Sequence, residues 1–211
     1  MFIELVDRLR CPREHAPDWL VAAPLEMRGR DIVRGVLGCP TCRTEYRVER
    51  GVAELAGERP RSTPVVPAHA GADGVMRLAA LLNLASPGGF VALTGAWSAL
   101  APALAIVVEG VHVLAIDPVA GVPGGDGVSL ATAPPSVVPL RAATARGIAL
   151  DDAHAALLHS AVAALAPGGR LIAPVSLPVP PGVTELARDE AVWVAERDSS
   201  APVVQLARGK R

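Results

Sequence analysis

The stretch from Phe90 to Pro118, FVALTGAWSALAPALAIVVEGVHVLAIDP, constrains the fold of this chain more than any other. Phe90 to Leu93 and Val111 to Ile116 are short β-branched and aliphatic runs, and they end at the turn signals Thr94-Gly95 and Asp117-Pro118. The Ala- and Leu-rich residues between the two runs predict a crossover helix. The sequence therefore predicts a right-handed βαβ unit, with any ligand at the carboxyl ends of its strands.

A membrane span is the alternative interpretation of this region, because no charged residue lies between Ser86 and Val108. About 20 apolar residues can cross a bilayer. However, Gly88-Gly89, Gly95 and Pro102 interrupt the stretch, and a similar uncharged run recurs at Leu171 to Leu177, as a buried parallel sheet requires. We therefore favour strands over a span.

Length and charge limit the possible domain organisation and the possible partners. With 211 residues, 51% of them hydrophobic, the chain can form one medium domain and one small domain. The 20 basic and 21 acidic residues nearly cancel, so charge does not indicate nucleic acid or an acidic membrane surface as partner. The first residues lack a basic region followed by an apolar stretch, and we therefore expect a cytoplasmic location.

The three cysteines, Cys11, Cys39 and Cys42, lie in the first fifth of the chain, and an odd, clustered set favours a metal site over disulfides. With His15 they form Cys-x3-His, a spacer of 23 residues, and Cys-x2-Cys. Two close pairs of sulfur and imidazole ligands suit tetrahedral zinc in a structural site. The alternative is that Cys11 is a buried apolar thiol and His15 a surface residue.

The residues around these ligands indicate a small β domain. Phe2 to Leu9 has helix-like spacing, and strands are predicted at Asp31 to Leu37 and at Tyr46 to Leu55, the second broken at Gly51. The Cys-Pro-x-Cys turn lies between these strands. A domain of about 55 residues buries little apolar surface, which gives a reason for a metal to stabilise it.

LVDRLRCP, Cys-Pro-x-Cys and the run from Glu45 to Leu55 resemble the small zinc-ribbon proteins that activate tRNA and protein methyltransferases. They also resemble zinc ribbons fused ahead of some bacterial methyltransferases. The resemblance covers about the first quarter of the chain and implies a ribbon that serves as a docking surface. His15 stands where that family commonly has a second cysteine.

Residues 57–74 are rich in Pro, Gly and Ala and predict a linker, so the expected organisation is a zinc ribbon at 1–56, a linker at 57–74 and a second domain at 75–211. The remaining predicted elements are a helix at Val75 to Ala85, strands at Gly127 to Ala131, Gly147 to Leu150 and Arg170 to Val175, a helix at Ala153 to Leu165, and a terminal hairpin of Ala191 to Glu196 with Val203 to Ala207.

Leu165 to Ile172, LAPGGRLI, resembles the helix-to-strand junction of class I S-adenosylmethionine-dependent methyltransferases. Those enzymes have a seven-stranded Rossmann-like sheet that also ends in an antiparallel pair. The resemblance implies an α/β fold with a mostly parallel sheet. It also implies that S-adenosylmethionine would bind at a Gly-rich turn after the first strand, here Gly95, and at an acid after the second, here Asp117.

The residues around that implied site depart from a functional cofactor site. Gly95 is the only glycine of its turn, and the bulky Trp97 follows it. Asp117 could accept hydrogen bonds from ribose hydroxyls or could merely start the turn before Pro118. After the predicted third strand, Ala131-Thr132-Ala133-Pro134 contains no acid that could face an adenine.

The candidate acid–base residues near the fourth strand have simpler explanations. Asp151 and Asp152 could contact substrate, but a helix N-cap accounts for at least one of them. His154 and His159 are interpreted as solvated helix positions, because no Ser or Cys nucleophile pairs with them. The sequence assigns no catalytic residue.

Two hypotheses result. The first is a catalytically degenerate methyltransferase-like protein with structural zinc, for which S-adenosylmethionine binding is doubtful, acting as a binding or assembly subunit with another protein. The second is an active methyltransferase acting on RNA or protein. The apolar loop from Pro118 to Pro139 either contributes a recognition surface or packs over its own sheet.

Overall fold

The computed structural model describes residues 1–16, 18–56 and 72–199. The first described part contains one short helix, α1 (Ile3–Val6), and four strands: β1 (Val21–Arg28), β2 (Asp31–Gly38), β3 (Glu45–Glu49) and β4 (Val52–Glu54). Strands β2 to β4 match the predicted ribbon strands, including the break at Gly51. Strand β1 was not predicted from the sequence.

The second part begins with helix α2 and continues with the predicted βαβ unit and five further strands. Its elements are α2 (Ala72–Leu81), β5 (Phe90–Thr94), a 3-10 helix (Gly95–Leu100), α3 (Ala101–Val107), β6 (His112–Ile116), β7 (Val128–Thr132), β8 (Ala145–Ala149), a second 3-10 helix (Asp152–Leu157), α4 (Leu158–Ala164), β9 (Leu165–Pro174), β10 (Val183–Arg188) and β11 (Val192–Arg197).

All eleven strands form one sheet in the order β1-β2-β3-β4-β7-β6-β5-β8-β9-β11-β10. Strands β5 to β9 are parallel, and β11 runs antiparallel to both β9 and β10. The seven strands β5 to β11 thus form a Rossmann-like sheet that ends in an antiparallel pair. This arrangement confirms the predicted methyltransferase-like α/β fold class.

The sheet continues into the first 56 residues because β4 lies parallel beside β7, with Val52 opposite Leu130 and Glu54 opposite Thr132. From β4 outward the strands alternate in direction up to β1 at the free edge. The Cys/His ribbon and the Rossmann-like strands therefore share one set of backbone hydrogen bonds.

A second set of contacts ties the amino-terminal segment to the central strands. The Phe2 backbone N–H donates to the Ser129 hydroxyl at 2.9 Å, and Ser129 Oγ also lies 2.9 Å from His112 Nε2. The Phe2 ring stacks on the His112 ring with 4.5 Å between centroids. We call Phe2, His112 and Ser129 the junction cluster.

Successive residues of the central strands face two separate cores. On one face Val91 and Leu93 of β5 pack with α2 and α3. On the other face Ala92 belongs to a core that includes residues of α1 and α4 and continues among β2 to β4. The crossover between β6 and β7 contains no helix, and a loop takes its place.

The stretch from Pro118 to Pro139 contains a strand, β7, with a loop on each side of it. Val119 and Val138, near its two ends, are buried, whereas Ala120, Pro123 and Asp126 of the loop before β7 are exposed. Both ends of the stretch are therefore buried, β7 belongs to the sheet, and the middle of the loop before β7 faces solvent.

The predicted terminal hairpin is wrong in its pairing. Strand β11 pairs with β10, which precedes it, and its other edge pairs with β9, so both edges are occupied. Val203 to Ala207 lies outside the described residues. Strand β9 also begins earlier than predicted, because Ala166 to Gly169 bulges out within it, and a Cβ at Gly169 would approach the Ala166 carbonyl oxygen to 2.8 Å.

Within the described ranges, none of the helices is long and apolar enough to cross a membrane. The apolar stretch that raised the alternative of a span is divided between β5, the 3-10 helix and α3.

Candidate functional site

The four predicted metal ligands come together at one end of β2 and β3. Cys11 follows α1, and its backbone N–H donates to the Asp18 carbonyl, which closes the first turn. Cys39 and Cys42 lie in the turn between β2 and β3, where the Arg43 N–H donates to the Cys39 carbonyl at 2.9 Å. Cys11 and Cys39 are buried, and His15 and Cys42 are half-buried.

The ligand atoms of Cys11, His15, Cys39 and Cys42 all lie within 4.8 Å of one another. Cys11 Sγ is 3.7 Å from Cys42 Sγ, and Cys39 Sγ is 3.5 Å from His15 Nε2. Tetrahedral zinc with its usual bond lengths requires about 3.8 Å between two sulfurs and about 3.6 Å between sulfur and nitrogen. The residues therefore fit a zinc ion, and all three cysteines are free of disulfides.

Two hydroxyl groups support the sulfur ligands. Tyr46 Oη lies 3.2 Å from Cys11 Sγ, and Thr44 Oγ1 lies 3.3 Å from Cys42 Sγ. The hydrogen bond between Cys42 and Thr44 lowers the pKa of Cys42 to about 6, whereas burial raises the pKa of Cys11. Such outer hydrogen bonds orient metal ligands. The sequence prediction did not include these two residues.

A second candidate site lies at the carboxyl ends of the central strands. Gly95 follows β5, Asp117 follows β6, and Asp151 follows β8. The strand order reverses at β5, with β6 on one side and β8 on the other, and such a switch point is where doubly wound sheets bind ligands. We call the space between these three strand ends the cleft.

The cleft contains a histidine that bridges two carboxylates. His154 Nδ1 contacts Asp151 Oδ1, and His154 Nε2 lies 3.3 Å from Asp117 Oδ2. A neutral imidazole carries only one N–H, so pairing both ring nitrogens with ionised carboxylates, which can only accept, requires the doubly protonated ring. His154 therefore carries a positive charge between two negative charges.

Electrostatics agree with this protonation state. Burial alone would lower the pKa of His154, but the hydrogen bonds to Asp117 and Asp151 and the charges of both outweigh it and raise that pKa to about 9. For Asp151, burial is outweighed by the hydrogen bond from His154 and the N–H of Ala96, and its pKa is lowered. Shifted pKa values in a cleft are typical of functional sites, although ion pairs produce them too.

The turn after β5 is occupied from within the chain. Asp151 Oδ2 accepts the Ala96 backbone N–H at 2.9 Å, and Asp151 also exchanges hydrogen bonds with Thr94 Oγ1. Gly95 has a φ of +42°, and a Cβ there would collide with the Asp151 carboxylate and the His154 ring. The turn is thus fitted closely to these two side chains.

Trp97 lies beside the same turn, and its indole N–H donates to the Leu150 carbonyl at 3.0 Å. The structure thus brings Gly95 and Asp117, the two predicted cofactor-binding positions, into one cleft together with Trp97. It places no acid after β7, where Ala133 and Pro134 follow Thr132.

Two interpretations of the polar residues require correction. His154 is not a solvated helix position: its side chain is 10% exposed, because Asp117 and Asp151 enclose it. Asp151 does precede a helix but makes no side-chain cap hydrogen bond to it, since its carboxylate faces the turn after β5. His159, in contrast, is exposed on α4 as predicted.

No known protein family and no curated protein matches this sequence. Among solved structures, the fold is similar to the antibiotic-resistance methyltransferase Kmr, at 15% identity over 60% of this chain and 93% of that chain, with a TM-score of 0.42. It is similar to TrmN from Thermus thermophilus at 18% identity over 58% of this chain and 48% of that one, with a TM-score of 0.41.

A further similar structure is a complex between the Haloferax volcanii Trm112 methyltransferase activator and the putative methyltransferase, at 16% identity over 51% of this chain and 58% of that chain, with a TM-score of 0.36. These likenesses concern the fold and assign no activity. Strand order defines a Rossmann-like, methyltransferase-like α/β fold, and its sheet is extended by strands carrying a Cys/His cluster that could hold a metal ion.

Proposed function

We propose that this protein is a catalytically degenerate methyltransferase-like module with a structural zinc site, and that it acts as a cytoplasmic binding or assembly subunit of a larger complex. The observation that carries the proposal is the internal use of the cleft. Asp117 pairs with His154, and the Ala96 N–H pairs with Asp151. The groups that a cofactor would need at Gly95 and Asp117 are engaged by the chain itself.

The zinc ligands in this proposal are Cys11, His15, Cys39 and Cys42. Bound zinc would supply four bonds that fix the first turn to the turn between β2 and β3. No step of a reaction is assigned to the metal, because the four ligand atoms would complete its tetrahedron. The ribbon then has a structural role and leaves its outer surface for recognition.

The second candidate function is an active S-adenosylmethionine-dependent methyltransferase that acts on RNA or protein. It is favoured by one observation, the position of Asp117 beside Gly95 at the carboxyl ends of β6 and β5, where doubly wound folds bind a ribose. The Asp117 side chain is 30% exposed, so it can be reached from solvent.

Calorimetry with S-adenosylmethionine distinguishes the two functions. We expect the unmodified protein to bind weakly or not at all, because a ligand would have to displace the paired His154 and Asp151 side chains. A dissociation constant in the low micromolar range that is lost in Asp117→Ala would contradict the degenerate module and establish the active enzyme as the better proposal. His159→Ala, an exposed change on α4, is the matched control.

The proposed partner is another protein, and the edge strand β1 is the surface that supports this choice. Apolar side chains are exposed along and just before β1, which we call the ribbon edge: Trp19, Val21, Leu25 and Met27. Leu25 is 71% exposed. A cluster of exposed apolar residues on a free sheet edge is typical of interaction sites. Near-zero net charge favours protein over nucleic acid.

Charged substitutions at the ribbon edge test this proposal. Leu25→Glu combined with Met27→Glu is expected to abolish recovery of a specific partner in affinity purification after gentle lysis, because partner binding would bury both side chains. Leu186→Glu is the control, since Leu186 is also exposed and apolar but lies on β10 at the opposite edge. A solitary monomer across salt and detergent conditions, or equal recovery by both variants, would count against the ribbon edge as the docking surface.

A further inference from the structure

The contacts in the cleft resemble those that a bound zwitterion would make. A carboxylate, that of Asp151, accepts the backbone N–H of Ala96 in the turn after β5. A cation, the ring of His154, pairs with the acid after β6, Asp117. Opposite charges are therefore supplied at the two ends of the cleft by one short segment of this chain.

The segment that supplies these groups is local and conformationally unusual. Asp151 directly precedes the 3-10 helix, and His154 lies within it with φ −110° and ψ 21°, outside the helical region. Asp117 has a φ of +46°, rare for a residue with a side chain. The energetic cost of such conformations must be offset by surrounding contacts, and here these are the contacts with His154 and the backbone around β7.

Buried Leu157 anchors the far end of the 3-10 helix in the core, and Asp152 Oδ1 accepts the Ser176 hydroxyl at 2.9 Å. Within the described part of the chain, the side-chain hydrogen bonds of His154 are those to the two carboxylates. A rotation about its side-chain bonds would therefore free Asp117 without unfolding the helix.

We propose that His154 is an autoinhibitory side chain: a built-in occupant of the cleft that withholds Asp117 from outside ligands and fills the space beside Gly95. This inference rests on the proposed function, in which the cleft of the unmodified protein is closed. It adds that His154 is the residue that closes the cleft. Removal of the imidazole leaves Asp117 Oδ2 without its partner, while Oδ1 still accepts the Ala133 N–H, and it opens space next to Gly95. A ligand with ribose hydroxyls and a positive charge then meets a free acceptor.

The test is calorimetry with S-adenosylmethionine on His154→Ala and on the unmodified protein. We expect the variant to bind at least about tenfold more tightly, the effect of one freed charge-assisted acceptor. The gain should be lost in the double variant His154→Ala with Asp117→Ala. Added imidazole should fill the vacated space in His154→Ala and compete with S-adenosylmethionine, while leaving the control His159→Ala unaffected.

His154→Asn provides a second variant if His154→Ala does not fold, because it keeps a polar group but cannot place a cation between the carboxylates. The inference is overturned if neither variant, once shown to be folded by circular dichroism, binds better than the unmodified protein. His154 would then be only a brace between the strand ends. Tight binding by the unmodified protein is a different result, which contradicts the proposed function instead.

Discussion

Purified protein is expected to contain one zinc ion per chain, and Cys39→Ser is expected to lose both the zinc and the ordered structure of β1 to β4. The reason is that these strands bury little apolar surface. Strand β1 is exposed along almost its whole length, and few of the residues of β3 and β4 are buried. Structural zinc sites supply folding free energy outright in domains of this size.

The loss should extend past the ribbon, because the core under β2 to β4 is continuous with the core under α4. We expect a loss of several kcal/mol, which for a chain of this length lowers Tm by about 10 °C or more. Elemental analysis and thermal unfolding measure the two effects together. Hydrogen exchange should locate the faster-exchanging amides in β1 to β4.

Arg47→Gln is the matched control, because Arg47 is exposed on β3 and is not one of the four proposed metal-binding residues. His15→Ala should give an intermediate loss, since three thiolates still hold the ion while the fourth position opens. Less than about half an equivalent of zinc in the unmodified protein, or an unchanged zinc content in Cys39→Ser, would show that these residues do not form a zinc site. Unchanged zinc affinity in His15→Ala would instead show that His15 is not a zinc ligand.

The elements predicted correctly from sequence are those whose burial leaves a local pattern. Strands β5 and β6 are buried on both faces, so they are continuous aliphatic runs between turn signals. The Cys/His cluster, which could hold a metal ion, left a local pattern too, because the spacing within each pair of residues is short. Strand β1 could not be predicted in this way: it is exposed on both faces and contains Pro24, so its sequence has no alternation of apolar and polar residues.

The pairing partner of β11 was predicted wrongly for a related reason. Strand β10 is exposed at all but its first residue and has no apolar period. One local signal was present: Asp189 Oδ1 accepts the backbone N–H groups of Ala191 and Val192, an Asx turn that joins β10 to β11. The predicted hairpin instead joined Ala191 to Glu196 with Val203 to Ala207.

Long-range features left no local trace. The parallel pairing of β4 with β7 joins residues far apart in sequence, and parallel pairs have no connecting hairpin to signal them. The contacts of His154 could not be predicted for the same reason. Asp151 and His154 are three residues apart, but the third partner, Asp117, reaches them only because β6 and β8 flank β5. The degree of closure of the cleft could therefore be judged only from the structure.

Two buried histidines are expected to give the stability of this protein opposite dependences on pH. The pKa of His154 rises from 6.5 to about 9 on folding. Its contribution to the free energy of unfolding is therefore fully present below pH 6.5 and is lost as pH rises through about 9. A shift of this size corresponds to about 3 kcal/mol.

His112, in the junction cluster, has the opposite sign. Burial, aided by the charge of the amino terminus, lowers its pKa from 6.5 to about 4. The folded protein holds it neutral beside Phe2 and Ser129, while the unfolded chain takes up a proton below pH 6.5. Stability is therefore lost as pH falls from 6.5 towards 4, again by about 3 kcal/mol.

Urea unfolding across this pH range should consequently show greatest stability near pH 6.5. His154→Gln removes the charge that titrates, so the loss on the alkaline side should flatten while the acid side is unchanged. His112→Gln keeps a hydrogen bond to Ser129 but cannot be protonated, so only the acid side should flatten. Zinc release at low pH should affect the unmodified protein and both variants alike. The difference in stability between the unmodified protein and each variant therefore reports the effect of the substituted histidine. An alkaline slope that persists in His154→Gln would show that the imidazolium between Asp117 and Asp151 does not stabilise the fold, because no other substitution separates the two proteins.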